Sequence, residues 1–272
     1  MKKTKRLAVL LAAVLACGTM AFSACSNGNN DDDNGGDDSG IIDNNNGNNN
    51  DTGNNDVGIQ VTKEEWIERF AMLDNCDNMT LYEGGYSLYP KNEAEEYGYW
   101  FSGGGTMLFD FKSQIRCDIF DFERYDPDDI NAVNGFVKDS HVEYTFYYNN
   151  HYFTWREDEG IDEMSQEDFL YNFENMKYYI LSRFALYASE EYYEKAKYNA
   201  QTNIYELELY DEDEDEQYTL SIQFLKNAGI KFPIKDDESY GEDIIYNINS
   251  TTVTVPAQAY KDADEYLANN AE

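Results

Sequence analysis

Between Ser165 and Ala188 the apolar residues recur at a helical period, while on either side of that stretch they recur at a period of two. Phe169, Phe173, Met176, Ile180, Phe184 and Tyr187 fall within an arc of about 80° when each residue advances 100°. Tyr171, Glu174, Asn175 and Ser182 take the opposite side. Ser165 stands at the N-cap position, with Glu167 and Asp168 in the first turn, where the positive end of the helix dipole favours acids. The spacing predicts an unbroken α-helix over 166–188, roughly 34 Å long at about 1.5 Å per residue. A rod with one apolar stripe must lay it against a second layer, and the flanking strands supply a sheet.

Those strands can be read in order. Thr62-Lys63-Glu64-Glu65 has the form of a capping box, and Trp66, Ile67, Phe70 and Leu73 follow at helical spacing, so a short helix opens the domain. Strand patterns follow over 79–89, 97–102, 107–111 and 114–122, with Gly103-Gly104-Gly105 read as a turn. In the last of these Ile115, Cys117, Ile119 and Asp121 share one face. Patterns over 142–148 and 151–155 flank Asn149-Asn150, a tight-hairpin signal. After the central helix come strand patterns over 192–198, 204–210, 217–225, 230–234 and 244–255, the last divided near Asn249. Pro256 stops it, and the tail to Glu272 reads as a frayed helix. The class is α+β with an antiparallel sheet.

The first 58 residues do not share these patterns. Lys2, Lys3, Lys5 and Arg6 precede an apolar run from Leu7 to Ala16 that is too short to span a bilayer, which takes about 20 residues. The segment ends at Phe22-Ser23-Ala24-Cys25. It resembles bacterial lipoprotein signal peptides, which implies cleavage before a cysteine and a diacylglyceryl thioether on its thiol. Cys25 fits best, because Ser26-Asn27-Gly28 begins an abruptly polar stretch; Cys17, preceded by Val14-Leu15-Ala16, is the alternative. Two acyl chains give stable anchoring where one gives marginal binding. Residues 26–58 hold 12 Asn, 8 Asp and 7 Gly in 33 positions, with no aromatic and no basic residue. Such a stretch buries too little apolar surface to offset its chain entropy and reads as a disordered tether. Its Asp clusters lack the EF-hand spacing that calcium would need. The expected organisation is a signal peptide over 1–25, a linker over 26–58 and a single domain over 59–272.

The order of elements suggests a family. An N-terminal helix, antiparallel strands including the 144–155 hairpin, a long helix, and a meander ending in Thr252-Val253-Thr254-Val255-Pro256 resemble the half-barrel lipoproteins related to LolA and to the mycobacterial LppX/LprG group. The resemblance covers 62–256 and rests on element order. It implies a curved antiparallel sheet, a half-barrel, with the long helix packed on its concave face and an apolar ligand chain sheltered there. It carries over no ligand-contact residue.

Charge and chemistry narrow the function further. The chain has 20 basic and 54 acidic residues, a formal charge of −34, and without the four N-terminal cations the balance is −38. A surface of that sign repels phosphate backbones, so nucleic acid is excluded as a partner. His141 and His151 flank the strands of one predicted hairpin and read as ordinary surface or strand-end histidines. No nucleophile elbow, Cys-x-x-Cys or His-Glu-x-x-His motif occurs, and Ser102-Gly103-Gly104-Gly105-Thr106 lacks the lysine of a P-loop. The acidic run from Asp211 to Glu216 reads as a solvated hairpin tip. Cys76 and Cys117 fit either one disulfide or two buried thiols. With 54 acids, some pair of carboxylates will always be close, so such pairs say nothing by sequence alone. The expectation is a non-enzymatic module without cofactor or metal, lipid-anchored outside the bacterial cell membrane, binding a lipid or other apolar ligand. The alternative is a structural or protein-interaction domain of the envelope with no small ligand. Metabolic labelling with palmitate should tag the wild-type protein, lose the tag in Cys25→Ala and keep it in Cys17→Ala; the reverse pattern moves the anchor to Cys17.

Overall fold

The computed structural model describes residues 58–211, 216–235 and 239–270, so Cys17, Cys25 and residues 26–57 lie outside the described residues. All described elements belong to one unit, Val57–Glu272. The chain begins with β1 (Gly58–Ile59) and α1 (Lys63–Asp74), then β2 (Asn78–Ser87), a 3₁₀ turn (Lys91–Glu93) and α2 (Ala94–Tyr97). It continues through β3 (Phe101–Asp110), β4 (Ile115–Tyr125), β5 (Phe136–Tyr148), β6 (His151–Arg156) and β7 (Gly160–Met164). A helical segment follows: α3 (Gln166–Glu174), a π-helix (Asn175–Leu181), α4 (Ser182–Ala185) and α5 (Glu190–Lys195). The chain ends with β8 (Lys197–Asn199), β9 (Ile204–Asp211), β10 (Glu216–Leu225), β11 (Ile230–Lys235), β12 (Ser239–Tyr246) and α6 (Ala257–Asn270). No helix among the described residues is long and apolar enough to cross a membrane.

The strands form one antiparallel sheet in the order β7-β6-β5-β4-β3-β2-β12-β11-β10-β9-β8, with β1 added on β10, and the path is not closed into a barrel. It consists of two meanders, β2 to β7 and β8 to β12, joined where the first strand of one pairs with the last strand of the other. Cross-strand partners lie on the same side of a sheet, so the register sorts residues into two faces. One face meets the helical segment and α1. Phe169 packs on Tyr152 with ring centroids 4.5 Å apart, Phe184 stacks on Phe232 at 4.3 Å, and Trp66 meets Tyr205 at 5.3 Å. The other face carries Phe146, Phe153 and Trp155, and there Val255, Ala259 and Ala263 bring α6 down onto the sheet. Trp155 Nε1 donates to Asp262 Oδ2 at 2.7 Å, so the indole is satisfied as it is buried.

Local signals account for most of these elements. Thr62 Oγ1 accepts from Glu65 N and Glu65 Oε2 accepts from Thr62 N, the reciprocal capping box, and α1 buries Trp66, Phe70 and Leu73. Asn149 and Asn150 both take the left-handed conformation and turn β5 into β6.

Three expectations are corrected. The central helix is not one α-rod: a π-helical stretch interrupts it, with Ser182 N donating to Lys177 O five residues back. The wider turn rotates Leu181 inward, where it is fully buried, although α-periodicity sets it outside the apolar arc. The strand expected over 192–198 is mostly α5, because Ser189 caps it and Glu191 pairs with Lys195 one turn on, leaving β8 three residues. The strand expected over 244–255, divided near Asn249, breaks there but does not resume: it ends at Tyr246, Asn247 and Asn249 turn left-handed, and Thr251 N donates to the Asn78 side chain rather than to a ladder. The helix expected in the tail is present as the 14-residue α6.

The triglycine is also not a turn. Gly103, Gly104 and Gly105 lie within β3, opposite Gly85, Gly84 and Glu83 of β2. A Cβ on Gly104 would sit 2.4 Å from the Glu83 carbonyl oxygen and 2.7 Å from the Gly84 Cα, so the two backbones approach more closely than a side chain allows. Gly104→Val is therefore expected to cost about 2–3 kcal/mol, read as a lower urea midpoint at unchanged slope; an unchanged midpoint would show that the strands have room to part.

Candidate functional site

The helix-covered face holds a row of residues that does not suit a packed core. Reading across β11, β12, β2, β3, β4 and β5, the register places Phe232, Asp243, Glu83, Gly105, Phe120 and His141 side by side. The next row is Ile245, Leu81, Met107, Asp118, Glu143 and Arg156. Glu83 shares its side of β2 with Met79 and Leu81, and Asp243 shares its side of β12 with Ile245. The strand period that buries those apolar residues therefore carries the acids inward with them. Glu83, Asp118 and Asp243 are 6%, 3% and 9% exposed.

Compensation is uneven. Arg116 Nε donates to Asp118 Oδ1 at 2.7 Å, and the guanidinium lies over the Phe109 ring at 5.3 Å. Asp118 thus has a counter-charge, although burial still raises its pKa. Glu83 and Asp243 face each other directly across the β2–β12 ladder. Burial pushes Glu83 up to about 8, the Asp243 charge adds to this, and Arg116 opposes it. Burial, followed by the charge of Glu242, pushes Asp243 up to about 7. Among the described residues no hydrogen-bond partner reaches Asp243 Oδ2. Two buried carboxyls at this spacing do not both ionise readily, so near neutrality the pair retains a proton. Chemically it is a proton store, a hydrogen-bonding point, or a receptacle for a positive charge.

The residues read from the helical stripe are distributed around this row. Phe169 and Phe173 are buried and stack at 4.8 Å, and Phe173 meets Phe109 and Phe111 edge-on. Phe184 and Tyr187 belong to a second ring cluster with Phe232, Phe70 and Tyr192. Met176 is buried between the two along the chain, and the side chain of Ile180 lies outside the described residues. The helix therefore contributes two aromatic clusters, and the sheet contributes the acids.

The other candidates do not assemble. His141 is in the middle of β5 rather than at a strand end, bonded through Nδ1 to Asp139, on the helix-covered face. His151 begins β6 on the opposite face, with Nδ1 2.6 Å from Glu163 Oε1. Cys76 and Cys117 are buried free thiols, which burial pushes up to about 11 and about 12. No group of three or more His, Cys, Asp and Glu set to hold a metal ion occurs among the described residues. No protein-family model matches the chain, and no curated protein matches it.

The acid row was missed in the sequence because acids are so abundant there. The usable signal was phase: Glu83 occupies the apolar register of Met79 and Leu81. A carboxyl raised by folding takes up protons between the ordinary carboxylate range and pH 7–8, so stability should fall as pH rises across that window. Urea midpoints measured from pH 5 to 8.5 are expected to fall in the wild type and to flatten in Glu83→Gln. The variant should gain on the order of 1–3 kcal/mol at the alkaline end. Parallel pH curves for the two proteins would remove Glu83 as the cause.

Proposed function

We propose that this protein is a membrane-tethered, non-enzymatic binding module that takes up an apolar or amphipathic ligand between its sheet and the 166–188 helical segment. The observation that carries the reading is the enclosed carboxylate row, set between two aromatic clusters on the helix-covered face. A face that only had to pack would use apolar residues there, since buried carboxyls lower stability unless fully compensated. Gly241, Gly85 and Gly103 form a further cross-strand row beside it, and glycine within strands suits a sharp bend. In this reading the sheet bends there into a half-barrel with the helical segment over its concave face. The π-helical stretch is where that cover yields, because its longer hydrogen-bonded turn is less stable than α-helix and such turns cluster at functional sites. The anchor is the acylated Cys25, which places the domain outside the cell membrane, and the −34 charge keeps nucleic acid away.

A second reading, an envelope interaction domain without a small ligand, draws on the dense ring packing of Phe169, Phe173 and Phe109. Native mass spectrometry of protein released from membranes in mild detergent separates the two. A co-purified lipid, or one-to-one uptake of Nile red with a raised Tm, is the expected result. A bare polypeptide mass with no dye bound and no shift in Tm would sink the binding-module reading.

A further inference from the structure

The Glu83–Asp243 pair lies on the ladder that joins the two meanders, and its chemistry is more selective than that of a generic polar spot. We infer that this pair recognises the head of an amphipathic amine, an alkylammonium group whose apolar chain runs along the aromatic clusters. The inference rests on the binding-module reading and names the ligand class for that site.

Four observations converge on it. Asp243 is nine-tenths buried, faces Glu83 in register, and presents an Oδ2 that no group among the described residues satisfies. A buried acceptor of this kind is costly when empty and strong when it meets a charged donor. Among the described residues, Arg116 bonds to Asp118 and acts on Glu83 only through its field, Lys177 lies over the Phe111 ring, and Lys231 pairs with Glu242 on the other face. Phe232 beside Asp243 and Phe120 over Gly105 beside Glu83 put aromatic rings at both ends of the pair, the surroundings in which an alkylammonium is held well. The surrounding field is strongly negative, which concentrates cations and repels anionic amphiphiles. An ammonium brings three donors for the carboxylate oxygens and the charge they lack.

The test is isothermal titration of the full mature chain with decylammonium, decanol and decyl sulfate, each below its critical micelle concentration. Salt is held at about 0.15 M, where exposed charges are screened beyond about 8 Å. Decylammonium is expected to bind at least about tenfold more tightly than decanol, with decyl sulfate weakest. Asp243→Asn and Glu83→Gln are each expected to lower decylammonium affinity by about tenfold while leaving decanol within about twofold. Both changes are near-isosteric and remove buried charge, so the fold is expected to persist, and either variant suffices if the other misfolds. Equal binding of decylammonium and decanol, or an unchanged amine affinity in the folded variants, overturns the amine inference and leaves the binding module standing. Failure of all three amphiphiles to bind overturns both.

Discussion

The ladder between β2 and β12 holds the two halves of the sheet together. It pairs Ser87 with Ser239 at one end and Thr80 with Tyr246 at the other, partners more than 150 positions apart in the chain. Each meander closes through short local connections, but the seam requires most of the domain to be collected before its first hydrogen bond forms. Loop closure at that length costs only slightly more entropy than at half of it, yet such non-local pairing slows folding. On this seam sit Glu83 and Asp243, whose burial works against stability. The ladder must outweigh them, and it runs for eight consecutive residue pairs, with Leu81 and Ile245 buried beside the acids.

The helices stand in a fixed relation to the seam. α1 and the last part of the central segment cover the β9 to β11 half through Trp66, Phe70, Phe184 and Tyr187. The start of that segment covers β3 and β6 through Phe169 and Phe173. The π-helical stretch falls between these two attachments. A uniform α-helix would rotate Leu181 outward; the longer turn brings it in while both ends keep their ring contacts. On the opposite face α6 packs through Ala259 and Ala263, which are small enough to let its backbone approach Phe146 and Trp155.

The sequence made some of this legible and hid the rest for identifiable reasons. The capping box at Thr62, the Asn149-Asn150 turn and the Ser165 cap are local chemistry, and each appears where local chemistry places it. The antiparallel sheet and the meander after the central helix followed from strand spacing. What a single segment does not encode was lost. The triglycine reads as a turn until β2 brings its own glycines alongside. The π-turn conserves the apolar stripe while changing its phase. The acids Glu83, Asp118 and Asp243 look like 3 of 54 until the register shows that they share a covered face. Phase within one strand marks Glu83 as inward beside Met79 and Leu81, but which acids meet there depends on partners on other strands.

The two-residue strand β1 gives the fold a mechanical polarity. Gly58 and Ile59 pair with Leu225 and Phe224, and Val61 and Tyr205 exchange backbone-to-hydroxyl hydrogen bonds just beyond. Tension arriving along the chain from its N-terminal side therefore loads β10 and β9, in the second meander, before it reaches β2. A pull from that side thus meets the second meander first, through a strand held by only two residue pairs.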